Sequence, residues 1–381
     1  MKNTTLLAAS AAVAAISAAT GAYAGGMDRS RQSIAPLFET GSYVEFSFGS
    51  VSPDVSGAYP VMPGYELDAG DVTPSFNMVG GAYKRDLNDK LSFALIIDQP
   101  FGADVSYGGN TSYPIAGSNA SVDTTAVTAI LRYKFDDRFS VYGGVRNLSS
   151  EGNVYLNIPV PNSPGSTFPY AMETSTENDW GYLVGAAYEI PDIALRASLT
   201  FNSEIDISFD THEVSVAIAD QSNPTGTLDS SMDVTMPKSV NFDFQTGIAA
   251  DTLLMFSARW AEWTTTTITP TAYEAIIHDN LVDHSDDTIS YSLGLGRRFN
   301  DKLSGSFSIG YEKAYGGISG NLSPTDGYKS VAAGLKYQIT DQTAISGGVS
   351  YAWIGDTTTS VGGEFEDNSA IGFGIKLSHH F

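Results

Sequence analysis

The last eleven residues of the chain alternate between apolar side chains and polar or small ones. The apolar residues stand at odd positions, namely Ile371, Phe373, Ile375, Leu377 and Phe381, and the even positions hold only glycine or polar residues. Successive side chains of a strand point to opposite faces, so this stretch predicts a strand with one apolar and one polar face. Such a strand is typical of a transmembrane β-barrel, although the edge strand of a soluble sandwich has the same pattern.

The same alternation recurs along the chain in pairs separated by short polar turns. The turns fall at residues 86–89, 136–138, 190–192, 250–251, 300–301 and 340–341, and much longer connections lie between the pairs. With the first and last strands, about fourteen strands result, and short periplasmic turns with long extracellular loops are the asymmetry of bacterial outer-membrane barrels. The pattern therefore predicts an all-β fold, a transmembrane antiparallel β-barrel. Aromatic residues at the strand ends, among them Trp180, Trp260, Trp263 and Trp353, are predicted to form interfacial girdles.

The first residues have the organisation of a secretory signal. Lys2 precedes an apolar stretch over residues 6–19, and Ala22-Tyr23-Ala24 is an A-x-A cleavage site. We therefore expect a signal peptide over residues 1–24, an N-terminal segment over 25–40 and the barrel over 41–381. Cleavage near Ala24 would send the chain towards the outer membrane of a Gram-negative cell.

Composition excludes several classes of function. The net charge of −23 argues against nucleic acid as a partner, because phosphate binding needs clustered Lys and Arg. There is no G-x-S-x-G element to present a nucleophile, so no catalytic residues are assigned and an enzyme is not expected. His278, His284 and the neighbouring aspartates match no metal spacing, so neither a metal nor a cofactor is expected.

Three stretches resemble the long-chain fatty acid transporter family of the outer membrane, the FadL family. The segment from Leu195 to Ile205 resembles the family's R-A-x-L-x-[YF]-x-S-x-I strand. Met236-Pro237-Lys238-Ser239-Val240 resembles the P-x-S segment that opens the next strand, and Arg259-Trp260-Ala261-Glu262-Trp263 resembles the aromatic end of the one after it. The fourteen-strand count agrees with this family.

The resemblance implies passive uptake of long-chain fatty acids or other hydrophobic small molecules, with lateral exit through a kink in the third strand. The matching positions are Pro100, Phe101, Gly102 and Ala103, where proline removes a ladder donor and glycine permits unusual dihedral angles. The other interpretation of these positions is a plain strand end leading into an outer loop.

The family's N-terminal hatch implies a plug before the first strand, and here it is shortened. The nearest match is Ser33, Ile34, Ala35, Pro36 and Leu37, which lacks the family's Asn-Pro-Ala motif. A residual hatch, a more open lumen and a separate plugging partner are all compatible with this departure.

An outer loop carries a candidate for ligand capture. Tyr273, Ile276, Ile277 and Leu281 are spaced as on one face of a short helix, which could form an apolar groove or simply pack on neighbouring loops.

The partners predicted for a barrel of this kind are a hydrophobic small-molecule ligand, outer-membrane lipid with lipopolysaccharide, and the barrel assembly machinery, which would recognise Phe381. A monomer is expected. The alternatives in function are a surface barrel for adhesion or envelope interaction and a general diffusion porin. Only 17% of the residues are charged, which favours hydrophobic cargo over a porin.

Overall fold

The computed structural model describes residues 26–163 and 165–381, so the predicted signal peptide lies outside the described residues. In the described part of the chain, no helix is long and apolar enough to cross a membrane. The short helices within residues 26–163 and 165–381 are 3-10 turns at Ala35–Phe38, Pro191–Ile193, Val216–Ile218 and Trp263–Thr265, and one α-helix, α1, at Thr271–Ile277.

Strands make up most of the chain. In order they are β1 (Tyr43–Asp54), β2 (Ser56–Met62), β3 (Tyr65–Asp71), β4 (Phe76–Asp86), β5 (Leu91–Asp98), β6 (Gly102–Ser106), β7 (Asn119–Lys134), β8 (Phe139–Pro159), β9 (Thr167–Thr174), β10 (Glu177–Ile190), β11 (Leu195–Asn202), β12 (Ile205–Ser215), β13 (Thr227–Met236), β14 (Ser239–Ala249), β15 (Thr252–Ala261), β16 (Thr288–Arg298), β17 (Leu303–Glu312), β18 (Ile318–Ser319), β19 (Tyr328–Gln338), β20 (Thr343–Ile354), β21 (Thr357–Thr359), β22 (Glu364–Phe365) and β23 (Ser369–His380).

The wall is a closed antiparallel barrel of 14 strands, which confirms the predicted fold class. Each strand pairs with its neighbour around the ring, and β1 closes the ring by pairing with β4 on one side and β23 on the other. Tyr43 at the start of β1 lies opposite His380 at the end of β23, so the first and last strands meet at the end with the short turns. Apart from a break beside β4 that is described below, the described strands of the closed sheet leave no unpaired edge in the membrane, where an unsatisfied backbone group would be costly.

The terminal strand has the two faces that its sequence predicts. Phe373 and Leu377 are each 47% exposed on the outside of the barrel, whereas Lys376 and Ser378 are buried inside it. On the inner face of the wall, Lys376 forms an ion pair with Glu45 of the adjacent strand β1, with 3.0 Å between Nζ and the carboxylate. The apolar side chains therefore face lipid and the charged ones pair inside.

The extracellular connections are more ordered than the predicted loops. The upper part of β8 pairs with β9, β9 pairs with β12, and β12 pairs with β13, which extends the wall outward. A second small sheet of β2, β3, β18, β21 and β22 covers another part of this end. These extended strands also form part of the lining of an apolar cavity that is described below.

The N-terminal segment, residues 26–42, precedes β1 and packs inside the barrel. Ile34, Leu37 and Phe38 are buried in a cluster with wall residues that include Ile130 and Leu183. Of the predicted hatch motif, Pro36 is also buried, Ala35 is half-buried and Ser33 is exposed.

Candidate functional site

The third strand of the wall is interrupted where the sequence predicts a kink. β5 and β6 both pair with β7. Three residues, Gln99 to Phe101, lie between β5 and β6, whereas only two residues of β7 lie between the positions that pair with the two strands. Thr124 of β7 bridges this mismatch, because its hydroxyl donates to the Phe101 carbonyl at 2.6 Å and accepts from the Phe101 N–H at 3.1 Å. The break is thus a bulge at the proline, which has no N–H for the ladder.

The break leaves part of β4 without a main-chain partner on that side. The ladder between β4 and β5 runs from Asp86 up to Gly81 opposite Ile97, and in the described chain residues 76–80 pair only with β1. Here the side-chain amide of Gln99 substitutes for a strand, since its Oε1 accepts from the Val79 N–H at 2.9 Å. The wall therefore has a discontinuity between β4 and the third strand.

The N-terminal segment occupies the hydrogen-bonding edge of this break. The Arg29 N–H donates to the Pro100 carbonyl at 2.8 Å, the Ser30 N–H to the Gln99 carbonyl at 3.1 Å, and the Gly102 N–H to the Met27 carbonyl at 2.8 Å. A Cβ at position 102 would lie 2.4 Å from the Arg29 guanidinium carbon, so a larger residue there would force the Arg29 side chain to move.

A buried ion pair holds the same segment from the opposite wall. Arg259 of β15 donates two hydrogen bonds of 2.8 Å to the carboxylate of Asp28, and its remaining nitrogen donates to Gln32, Ser239 and Asn241 at 3.1, 2.8 and 2.9 Å. The side chains of Arg259 and Asp28 are 3% and 13% exposed, so the pair is well shielded from solvent. Bidentate pairing with a guanidinium fixes both the position and the orientation of the segment.

Above the segment lies an apolar cavity of about 80 Å³, which we call the upper cavity. Its apolar lining comes from the N-terminal segment, the third strand, the extended strands and the outer loops: Met27, Ala103, Val105, Ala120, Val122, Val154, Met172, Phe209, Met232, Val234, Met236, Ile268, Leu281, Val282 and Leu322. Four of the chain's eight methionines are in this set. Methionine is flexible and polarisable, so the lining can adapt to apolar molecules of different shape.

Below the segment lies a more polar cavity of about 260 Å³, the lower cavity. Its lining includes Ser30 and Arg31 from the segment, and it extends to Val79, Ile97 and Gln99 at the discontinuity in the wall. The upper and lower cavities therefore meet the N-terminal segment from its two sides, and the lower one reaches the break.

The predicted capture helix forms as α1, which is shorter than the predicted span because His278 adopts a left-handed conformation and ends it. Tyr273, Ile276 and Ile277 are partly buried against the apolar cluster around the upper cavity, and Leu281 lines that cavity. The geometry thus matches the interpretation of a loop helix that packs on its neighbours, with Leu281 alone of the four on the cavity lining.

A buried carboxylate that the sequence analysis missed anchors α1. Glu213 of β12 accepts from the Ala272 and Tyr273 N–H groups at 2.9 and 3.2 Å and from the Tyr170 hydroxyl at 2.7 Å. The alternation of polar residues in β12 is enough to predict a strand. It does not predict the contact of Glu213 with α1, because α1 begins at residue 271, which is 58 residues later in the sequence.

The prediction that Trp263 joins an interfacial girdle is wrong. Its side chain is fully buried inside the barrel, where its ring lies 5.8 Å from Phe101 and 5.3 Å from His284 between centroids. The chain turns inward after β15 in a 3-10 turn, Trp263–Thr265, so the residue leaves the membrane face. Trp263 instead packs against the third-strand break.

The sequence profile of the family described as "Outer membrane protein transport protein (OMPP1/FadL/TodX)" matches residues 34–377. The chain belongs to this family. Its members and structural neighbours are transport channels of the outer membrane for hydrophobic compounds, not enzymes, so the predicted family, localisation and non-enzymatic class are confirmed. No curated protein matches the sequence significantly.

Solved structures of family members share the fold at low sequence identity. A Pseudomonas aeruginosa FadL homologue superimposes with a TM-score of 0.74 at 15% identity, covering 95% of this chain and 96% of that one. The Pseudomonas putida toluene transporter TodX gives 0.67 at 13% identity, covering 96% and 97%. The Ralstonia pickettii toluene transporter TbuX gives 0.64 at 14%, covering 96% and 98%.

Proposed function

We propose that this family member takes up hydrophobic small molecules by passive diffusion, with capture at the upper cavity and lateral exit through the third-strand break. The proposal rests mainly on one observation. The N-terminal segment hydrogen-bonds to the break and separates an apolar cavity from a second cavity that extends to the discontinuous wall.

The steps follow the polarity of the lining. An apolar molecule leaves water for the upper cavity, where burial stabilises it by about 25 cal/mol per Å² of apolar surface. Movement of residues 26–33, the first part of the N-terminal segment, opens the way to the lower cavity. The molecule then leaves past Val79 and Gln99 into the membrane, which is favourable because lipid is apolar. The side chains at Pro100 to Ala103 shape this exit.

A reversible cross-link across the discontinuity tests the lateral exit. The chain has no cysteine, so Val79→Cys with Gln99→Cys introduces the sole reactive pair, to be joined by a short thiol cross-linker that reductant cleaves. The matched control is Phe307→Cys with Ala333→Cys, a facing pair in the continuous ladder between β17 and β19. Uptake of labelled toluene and of a labelled long-chain fatty acid is measured in cells that lack their own transporter.

We expect the cross-link at 79 and 99 to abolish uptake, reduction to restore it, and the control pair to have no effect. Full uptake through the cross-linked wall would overturn the lateral exit. Fatty acid as cargo stays a prediction, which the second label tests directly. If the wild type carries neither label while small polar sugars pass freely, the barrel is a porin and the proposal fails.

A further inference from the structure

Two polar atoms in the upper cavity are buried without a hydrogen-bond partner among the described residues. They are Oγ of Ser150, whose side chain is 2% exposed, and Nε2 of His284. Both residues line the cavity, Ser150 from β8 and His284 from the loop before β16. An unpaired polar atom in an apolar site costs free energy unless something pairs with it, so these two atoms mark where a ligand's polar group would bind.

The cavity has no cation for a carboxylate. Of the described residues that line it, none is a lysine or an arginine. The arginines nearby already have partners: Arg29 pairs with Asp123 at 3.5 Å and stacks on Phe76, Arg146 donates to Thr128 and Asn202, and Arg259 binds Asp28. Burial of an ionised carboxylate without a counter-ion is strongly unfavourable.

His284 is suited to a neutral partner. Burial lowers the pKa of its imidazole from the ordinary value, with Asp283 acting in the opposite direction, so burial favours the neutral ring. A neutral imidazole nitrogen either donates or accepts, according to the tautomer, and a serine hydroxyl does both. A ligand hydroxyl, which also donates and accepts, can therefore pair with the serine oxygen or with the imidazole nitrogen, whichever tautomer is present.

We propose that Ser150 and His284 form a polar subsite in the upper cavity that selects neutral amphiphiles, such as alcohols and phenols, over both plain hydrocarbons and carboxylates. The inference rests on the proposed function, because it assigns the substrate class of the same cavity. The adaptable methionine lining holds the apolar part, and the subsite holds the hydroxyl. Selectivity then follows from pairing atoms that otherwise stay unsatisfied.

The test is equilibrium binding of three compounds with the same seven carbons: toluene, benzyl alcohol and benzoate. The full chain is reconstituted in lipid nanodiscs at pH 7.5, and binding to empty nanodiscs is subtracted. The variants are Ser150→Ala and His284→Phe, and the control is Ser346→Ala, a buried serine of β20 that also lacks a partner among the described residues but does not line the cavity. Retention of the heat-modifiable band on gels checks that each variant is a folded barrel.

In the wild type, benzyl alcohol should bind about 3- to 10-fold more tightly than toluene, the range of one added hydrogen bond, and benzoate at least about 10-fold more weakly than the alcohol. Each cavity variant should reduce the preference for the alcohol while toluene binding stays within about twofold, and Ser346→Ala should change nothing. Benzoate binding as tightly as the alcohol, or an alcohol preference unchanged in both variants, would overturn the subsite alone. Absence of binding by all three compounds would instead overturn the proposed function with it.

Discussion

The ion pair between Asp28 and Arg259 should control release of the N-terminal segment. In Arg259→Gln the side chain loses both 2.8 Å hydrogen bonds to the Asp28 carboxylate and the contacts to Gln32, Ser239 and Asn241. The carboxylate stays 13% exposed with no cation beside it. We therefore expect the segment to detach from the lumen wall far more often.

The size of the effect follows from burial. Removal of one partner from a fully buried pair costs about 3–5 kcal/mol, and the partial exposure of Asp28 places this pair at the lower end, about 3 kcal/mol. At about 1.4 kcal/mol per factor of ten, the detached population should rise roughly 150-fold. Asp28→Asn should cost less, about 2 kcal/mol or about 30-fold, because Arg259 loses its counter-ion but keeps its three neutral partners.

Trypsin reports the detached population, because Arg29 and Arg31 lie within the segment. When cleavage is slow relative to closing, the cleavage rate follows the open fraction. The purified variant is digested in detergent, and cleavage after these two arginines is followed by mass spectrometry. The control is Arg298→Gln, which breaks ion pairs with Asp251 and Asp301 at two periplasmic turns, where the two carboxylates are 40% and 97% exposed, and should leave the rate unchanged.

A ratio below about fivefold for Arg259→Gln, with the barrel folded by the gel criterion, would refute the reasoning. The hold on the segment would then come from the backbone hydrogen bonds to the break and from apolar packing. Equal rates for Arg259→Gln and Asp28→Asn would contradict the assigned cost of an unpaired carboxylate.

Three further changes probe neighbouring parts of the site. Leu37→Ala removes a fully buried side chain, costs about 2–5 kcal/mol and should raise tryptic cleavage of the segment at least tenfold. Gly102→Ala places a Cβ 2.4 Å from the Arg29 guanidinium carbon and should also speed cleavage, whereas Gly108→Ala, where the nearest atom is 3.8 Å away, should not. Glu213→Ala leaves the first N–H groups of α1 without their carboxylate acceptor, which costs about 2–3 kcal/mol of helix stability. Hydrogen exchange in residues 271–277 should therefore accelerate at least about 30-fold while β16 stays protected. Exchange that does not change would show that apolar packing alone holds the helix.

The barrel is predictable from the sequence because lipid imposes its pattern on every strand. Residues that face lipid, such as Phe373 and Leu377, must be apolar, whereas the residues next to them in sequence face the lumen and need not be. Apolar residues therefore recur at every second position of each membrane strand. The position of the third-strand break is also visible, because proline cannot donate to a ladder wherever it stands.

The extracellular strands and the internal contacts are harder to predict. β12 alternates as regularly as a membrane strand, with Ile205, Ile207 and Phe209 buried, but its partners lie outside the membrane, where no lipid constrains the register. The pair of Asp28 and Arg259 spans 231 positions, and its formation depends on the path of an irregular segment through the lumen. Trp263 shows the same difficulty, because an aromatic at a strand end can face either lipid or the lumen.

The attachment of the N-terminal segment to the break uses main-chain groups, and this has an evolutionary consequence. Any residue except proline supplies an N–H, so the hydrogen bonds from Arg29 and Ser30 to the break place little demand on side-chain identity. The side chains at positions 29 and 30 can therefore change by mutation while these hydrogen bonds persist, whereas Asp28 and Leu37 are held by their own contacts with the wall. A transporter lineage could acquire new cargo through a few substitutions on one short peptide, which fits a family whose members keep the fold at 15% identity.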